Sequence, residues 1–203
     1  MTPPEQMPAA VPPRDYRLLL PDGWFRILLE PDERERAVAA LVERQFHGID
    51  DAPHLKDELR KDLRARAAKA YRSGGIELYL SLQQAGPFTV PASLLVTLAP
   101  LPHAESLPLD ALAQVLGAEG PEGQEVGVEE LSSGPAVRIR KRVAQRRDDS
   151  VDRAYSSTTV EYHLPVPGAT AFLLLSFSTP LEPIADAMVG LFDAVADSLT
   201  WTE

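Results

Sequence analysis

Apolar residues recur along the chain at two periods, and the switches between them mark out the elements. Over residues 32–47, Val38, Leu41, Val42 and Phe46 return at steps of three and four. Over 53–73, Leu55, Leu59 and Leu63 form a stripe that Ala67, Ala70 and Tyr71 continue. Both spacings predict amphipathic helices. Pro53 suits a first helical turn, Asp57 and Glu58 sit near its positive end, and Gly74-Gly75 supply the stop. Residues 76–84 alternate instead, with Ile76, Leu78, Leu80 and Leu82 on one face of a strand. A strand over 88–98 follows, and Pro91 places it at a sheet edge or a bulge, because proline cannot donate to a ladder.

A short helix is expected over 109–116, stopped by Gly117. The segments 124–131, 137–145, 156–164 and 171–177 then read as four strands joined by short turns, a meander. The last is apolar on both faces, which predicts a central position covered on both sides. Upstream, residues 16–20 and 24–29 flank Pro21-Asp22-Gly23 and read as a hairpin. At the other end, Thr179-Pro180-Leu181-Glu182 fits a capping box: Thr179 caps, Pro180 takes the first helical position and Glu182 reaches back. Ile184, Met188, Leu191, Phe192, Val195 and Leu199 would line the buried face of that closing helix, with Asp186, Asp193 and Asp197 turned away. The expected fold class is α+β: a mostly antiparallel sheet flanked by helices, one α/β/α sandwich domain over residues 16–203.

Composition adds limits. The 203 residues are 44% apolar and 25% charged, enough for a sizeable core, and no apolar run approaches the ~18 residues of a membrane helix. Without cysteine there is no disulfide framework, thiolate metal site or cysteine nucleophile. A net charge of -10 disfavours a general nucleic-acid binder, for which phosphate attraction dominates. Residues 1–15, with Pro3, Pro4, Pro8, Pro12 and Pro13, have little to bury and are expected to form a disordered proline-rich tail. The N-terminus has neither a basic start nor an apolar core segment, so cytoplasmic residence is the expectation. Sixteen of the twenty basic residues are arginine, which with abundant alanine and proline matches the usage of high-GC bacteria.

Reactive motifs are sparse. There is no nucleophile elbow, dinucleotide fingerprint, phosphate loop or zinc-protease helix motif. Gly117, Gly120 and Gly123 invite a phosphate-cradle reading, but Glu119 and Glu122 sit among them and a strand follows; an exposed loop fits better. Asp148, Ser150 and Asp152 have the one-three-five spacing of a calcium loop, yet Arg153 replaces the turn glycine and Thr159 the final acid. Of His47, His54, His103 and His163, only His163 has a suggestive neighbour, Glu161 on the same strand face. With no nucleophile or third ligand beside them, both read as ordinary polar side chains at the surface. No catalytic residue, metal ligand or cofactor-binding residue is assigned.

Charge clusters are the remaining signal. Arg138, Arg140, Lys141, Arg142, Arg146 and Arg147 are concentrated in one strand and its end, and alternation puts Arg138, Arg140 and Arg142 on one face. These three are candidate contacts for an anionic partner; the competing account is neutralisation inside the sheet, with Arg138 opposite Glu161 and the preceding strand offering Glu125, Glu129 and Glu130. Lys56, Arg60 and Arg64 make a second basic row on a helix, read as a solvated face. The closing helix carries Glu182, Asp186, Asp193 and Asp197 without a compensating base, an asymmetry that could support head-to-tail self-association.

Asp22-Gly23-Trp24 after a short strand, and a final apolar strand running through Ser178-Thr179-Pro180 into an amphipathic helix ending at Trp201, resemble the PsbP-like fold. That α/β/α sandwich is shared by a photosystem extrinsic subunit, a Ran-binding nuclear import factor and chaperones of type VI secretion effectors; the whole chain also resembles uncharacterised actinobacterial proteins. The resemblance covers element order over residues 16–201 and carries no site motif across. It implies a binding protein rather than an enzyme, though fold alone does not set function. The expectation is a non-catalytic protein-binding module, an adaptor or chaperone with a possible secretion link, whose partner is another protein. The alternatives are a small-ligand binder or hydrolase without a recognised motif, and an anion-binding module using the arginine strand.

Overall fold

The computed structural model describes residues 12–48, 52–81, 83–85, 88–100, 108–145 and 155–203. The elements run β1 (Asp15–Arg17), β2 (Trp24–Leu28), α1 (Pro31–Gln45), α2 (Pro53–Arg72), β3 (Gly75–Ser81), β4 (Gln84–Ala85), β5 (Phe88–Thr89) and β6 (Ser93–Pro100). Then come α3 (Leu109–Glu119), β7 (Glu125–Leu131), β8 (Gly134–Gln145), β9 (Tyr155–Pro165), β10 (Ala171–Thr179), α4 (Ala185–Asp197) and β11 (Thr200–Thr202). Among the described residues, seven strands form one sheet in the order β2-β3-β6-β10-β9-β8-β7, every pairing antiparallel, so the fold is α+β. The meander from β7 to β10 is present, and β10 occupies the middle of the sheet. Of the expected tail, residues 1–11 lie outside the described residues; Arg14 N–H donates to Thr202 C=O and Asp15 already belongs to β1.

The pleat divides the core in two. On one face Leu94, Val96, Val160, Tyr162, Leu175 and Phe177 meet Met188, Phe192 and Val195 of α4. On the other, Ile27, Leu78, Leu80 and Leu95 meet Val38, Leu41 and Val42 of α1 and Leu63 and Ala67 of α2. Register carries this second face across the sheet from Leu95 through Ser176, Glu161 and Ile139 to Val126, whose side chain lies under Gly117 of α3. Three helices thus cover one face and α4 the other. Gly75 makes the α2–β3 junction possible: a Cβ there would sit 2.9 Å from the Ala70 carbonyl oxygen.

Several expectations are corrected. The segment before Pro21 does not pair with β2; β1 joins β11 in a separate ribbon and β2 joins β3, so Pro21-Asp22-Gly23 connects two sheets rather than closing a hairpin. Ile76 is 39% exposed because the register slips between Gly75 and Glu77, and Glu77 and Tyr79 become the deeply buried face of β3. Pro91 falls in the break between β5 and β6, and β6 is an internal strand. Leu55 and Tyr71, at opposite ends of α2, are exposed. Helix α3 runs past Gly117 to Glu119, and Gln124 Nε2 donates to the Leu116 carbonyl near its end.

The capping box does not form. Thr179 ends β10 buried, donating its hydroxyl proton to Pro91 C=O (2.9 Å) while accepting from Leu181 N–H (3.3 Å). A 3₁₀ turn, Glu182–Ile184, precedes α4, whose N-terminus no side chain among the described residues caps, and Glu182 bonds the Ser156 hydroxyl. Pro183 explains this. A helix starting at Pro180 would need the N–H of residue 183 for its first hydrogen bond, and proline has none. The delayed start leaves Ile184 exposed rather than in the core.

Candidate functional site

A groove of about 460 Å³ opens between the α1–α2 pair and one end of the sheet. Its walls are aliphatic: Leu41 from α1, Leu59 and Leu63 from α2, and Leu80 from β3. Its floor is polar but uncharged, because Ser93 of β6 and Ser178 of β10 stand opposite each other across the strand pair. Neither hydroxyl has a hydrogen-bond partner among the described residues. Pro91 and Pro180 end the ladder at the mouth. The charged groups at the rim, Asp62 and Arg66, pair with each other at 2.7 Å one helical turn apart. The groove therefore offers apolar walls, free hydroxyls and no net charge. Nothing local in the sequence announced it, since its parts come from six elements.

The arginine strand lies elsewhere, beneath α4. Arg138 makes a two-pronged pair with Asp193 (Nε to Oδ1 3.0 Å, Nη2 to Oδ2 3.1 Å), and Arg140 pairs with Asp186 at 2.5 Å. Arg138 also donates to the hydroxyl of Tyr162, which in turn donates to Asp193. Burial, then the bond to Asp193, holds the Tyr162 phenol well above its ordinary pKa. Arg142 is exposed and has no ion pair among the described residues. The cross-strand account is off by one residue: Arg138 stands opposite Tyr162, and Glu161 stands opposite Ile139. Asp186 and Asp193 of α4 thus do have bases facing them, contrary to the expected uncompensated helix, whereas Asp197 accepts from the Ser132 N–H and hydroxyl. Arg146, Arg147 and the Asp148, Ser150, Asp152 segment lie outside the described residues, as does His103.

Lys56, Arg60 and Arg64, expected on a solvated face, reach across to α1, pairing with Glu43 (3.5 and 3.8 Å) and Glu35 (2.6 Å). His47 and His54 are exposed at adjoining helix ends. Glu161 is taken by Lys141 (2.9 Å), and His163 Nε2 is buried without a partner among the described residues. Ser178 pairs with Thr159, four positions from His163, which is about 13 Å of strand and far beyond proton-transfer reach.

Burial lowers the His163 pKa, Glu161 pulls it up and Lys141 pushes it down, with burial winning. The folded chain therefore keeps this imidazole neutral at a pH where the unfolded chain, near 6.5, takes up a proton. Stability is then greatest above the unfolded value and falls as pH drops through it. One proton of difference sets a ceiling of about 1.4 kcal/mol per pH unit. Urea melts from pH 7.5 to 5 should show His163→Gln losing less stability on acidification than the parent; parallel losses would contradict this origin.

A buried carboxylate network escaped sequence reasoning. Glu77 accepts from Tyr16 OH (2.8 Å) and Tyr79 OH (2.6 Å) and pairs with Arg26. Burial and the Glu77 charge hold both phenols well above their ordinary pKa. Tyr79 two positions along the strand was the one local signal available; Tyr16 and Arg26 arrive from distant segments. Among the described residues no group of three or more metal-ligating side chains converges. No described helix is long and apolar enough to cross a membrane.

No family model matches the sequence. No curated protein sequence matches it either. Among solved structures, the chain is similar to LpqN, described as involved in cell envelope biogenesis of Mycobacterium tuberculosis, at 11% identity over 93% of this chain and 83% of that one, with a TM-score of 0.48. It is also similar to the Saccharomyces cerevisiae Ran-binding protein Mog1p, at 11% identity over 63% of this chain and 79% of that one, with a TM-score of 0.41. No residue role is carried over from either.

Proposed function

We propose that this chain is a non-catalytic protein-binding module, an adaptor or chaperone of the cytoplasm, that takes a neutral aliphatic stretch of a partner polypeptide into the groove between α1–α2 and the sheet. The observation that carries the reading is the groove's make-up. Leu41, Leu59, Leu63 and Leu80 offer burial to an aliphatic side chain, while the Ser93 and Ser178 hydroxyls offer donors and acceptors to a backbone amide. Its volume lies within the range of small binding clefts. The internal Asp62–Arg66 pair leaves no charge for a charged ligand to neutralise. The serines are too far from His163 for a hydroxyl–imidazole dyad, which supports binding without turnover. The PsbP-like resemblance and a secretion link belong to the same proposal and add no residue to it. An anionic partner at the arginine strand would have to displace Asp193 and Asp186 from Arg138 and Arg140, leaving Arg142 as the accessible contact.

The test is selection of peptides from a random display library, followed by affinity measurement against the parent and Leu59→Glu, a half-buried wall position where a carboxylate charges the groove. Recovered peptides should carry aliphatic residues in an uncharged stretch, and the variant should bind at least about tenfold more weakly, equivalent to about 1.4 kcal/mol, with unchanged circular dichroism. Equal affinity for the variant would refute the assignment. Failure to select peptides, together with stabilisation by an apolar small molecule, would favour the small-ligand reading instead.

A further inference from the structure

The sheet ends on β7, whose outer side pairs with no strand among the described residues. Register identifies the backbone groups left over. Leu131 and Gly134 flank a two-residue turn, so Leu131, Glu129, Gly127 and Glu125 exchange hydrogen bonds with β8, and Glu130, Val128 and Val126 point their N–H and C=O groups outward. Pro135 agrees with this phase, because it lacks an N–H and stands opposite Glu130 in a non-bonded pair. The pleat sorts the side chains as well: Val126 and the exposed Val128 lie on the α3 side, Glu125 and Glu129 on the α4 side. Glu125, Glu129 and Glu130 have no ion pair among the described residues. Glu129 and Glu130 also border a cavity of about 630 Å³ shared with Arg138, Asp193 and Asp197.

We propose that β7 is a docking edge for an extended lysine- or arginine-bearing segment of another polypeptide, added as an eighth strand. Its basic side chains lie over Glu125 and Glu129 and its aliphatic ones over Val126 and Val128. A second copy of this chain fits less well: β7 against β7 either sets Glu125 directly across from Glu129 or, one residue on, sets Glu130 across from Val126, and neither register brings a base to the edge. Edge charges repel strands of like sign, and the same charges select a basic one. This surface is separate from the groove and goes beyond it.

The probe is a short labelled peptide alternating lysine and valine, with a glutamate–valine peptide as control. Binding is followed by fluorescence anisotropy at low salt and by amide hydrogen exchange. The lysine peptide should bind and slow exchange at Val126, Val128 and Glu130; the glutamate peptide should not bind. Val128→Pro removes one outward N–H at an edge position that tolerates proline and should weaken binding at least about tenfold, while Val128→Thr retains it. If Val128→Pro fails to fold, the exchange pattern of the parent decides. Absence of binding, equal binding of the glutamate peptide, undiminished binding by a folded Val128→Pro, or protection at other amides would overturn the proposal. Leu59→Glu should leave this binding unchanged, so the groove and the edge fail independently.

Discussion

Phe192→Ala should lower the unfolding free energy by about 3–5 kcal/mol, the usual cost of deleting a fully buried aromatic ring. Phe192 is wholly buried and stacks on Phe177 with ring centroids 4.9 Å apart and planes 19° apart. Phe177 in turn takes Tyr162 edge-on at 6.3 Å. The ring joins α4 to β10, the central strand, and strand neighbours on both sides fix the cavity walls, so little collapse can fill the void. Ile184→Ala in the 3₁₀ turn just before that helix, where the side chain is 45% exposed, should cost under about 1 kcal/mol. Urea melts of the two variants measure the contrast. Similar costs would mean that α4 packs on another face.

Glu77→Ala should be comparably damaging, at about 2–6 kcal/mol, because removing the shared acceptor leaves two buried phenol donors unsatisfied at about 1–3 kcal/mol each. Glu77 is 7% exposed, and its loss leaves the Tyr16 and Tyr79 hydroxyls without their acceptor. Arg26 contributes less, since its side chain is 55% exposed and water can replace the pair. Tyr16→Phe and Tyr79→Phe should each cost about 1–3 kcal/mol, as for hydrogen bonds to a charged group, and in Glu77→Ala their further cost should nearly vanish. Additive losses in chemical denaturation would show that the three groups do not act as a unit. Tyr16 also ties β1, and through it β11, to the main sheet, so Glu77→Ala should raise hydrogen exchange in residues 15–17 and 200–202 first.

Elements whose signal is local were legible. Periodicity alone marked α1, α2, α4 and the β7–β10 meander, and the two-faced apolarity of β10 placed it centrally. Features set by distant partners were hidden. Pro21-Asp22-Gly23 has the chemistry of a hairpin turn, but β1 finds its partner in β11 at the other end of the chain, and no local pattern reports that. The Thr179 capping box met every residue requirement except the donor that Pro183 lacks. Charge complementarity sets Arg138 against Glu161, but the observed pairing sets it against Tyr162, and a one-residue difference in register changes every partner. The acids that neutralise Arg138 and Arg140 come instead from α4, across the layer, while Glu161 neutralises Lys141 within the sheet. The groove was the least visible feature, because Leu41, Leu59, Leu80, Ser93 and Ser178 converge only through tertiary packing.

Methyl-labelled leucine spectra recorded during titration with a selected aliphatic peptide would place the bound polypeptide on the molecule. The largest shifts should fall on Leu41, Leu59, Leu63 and Leu80, while the exposed Leu19 and Leu98 stay still. Shifts confined to Leu19 and Leu98, with the four groove leucines unmoved under saturating peptide, would contradict recognition by this groove.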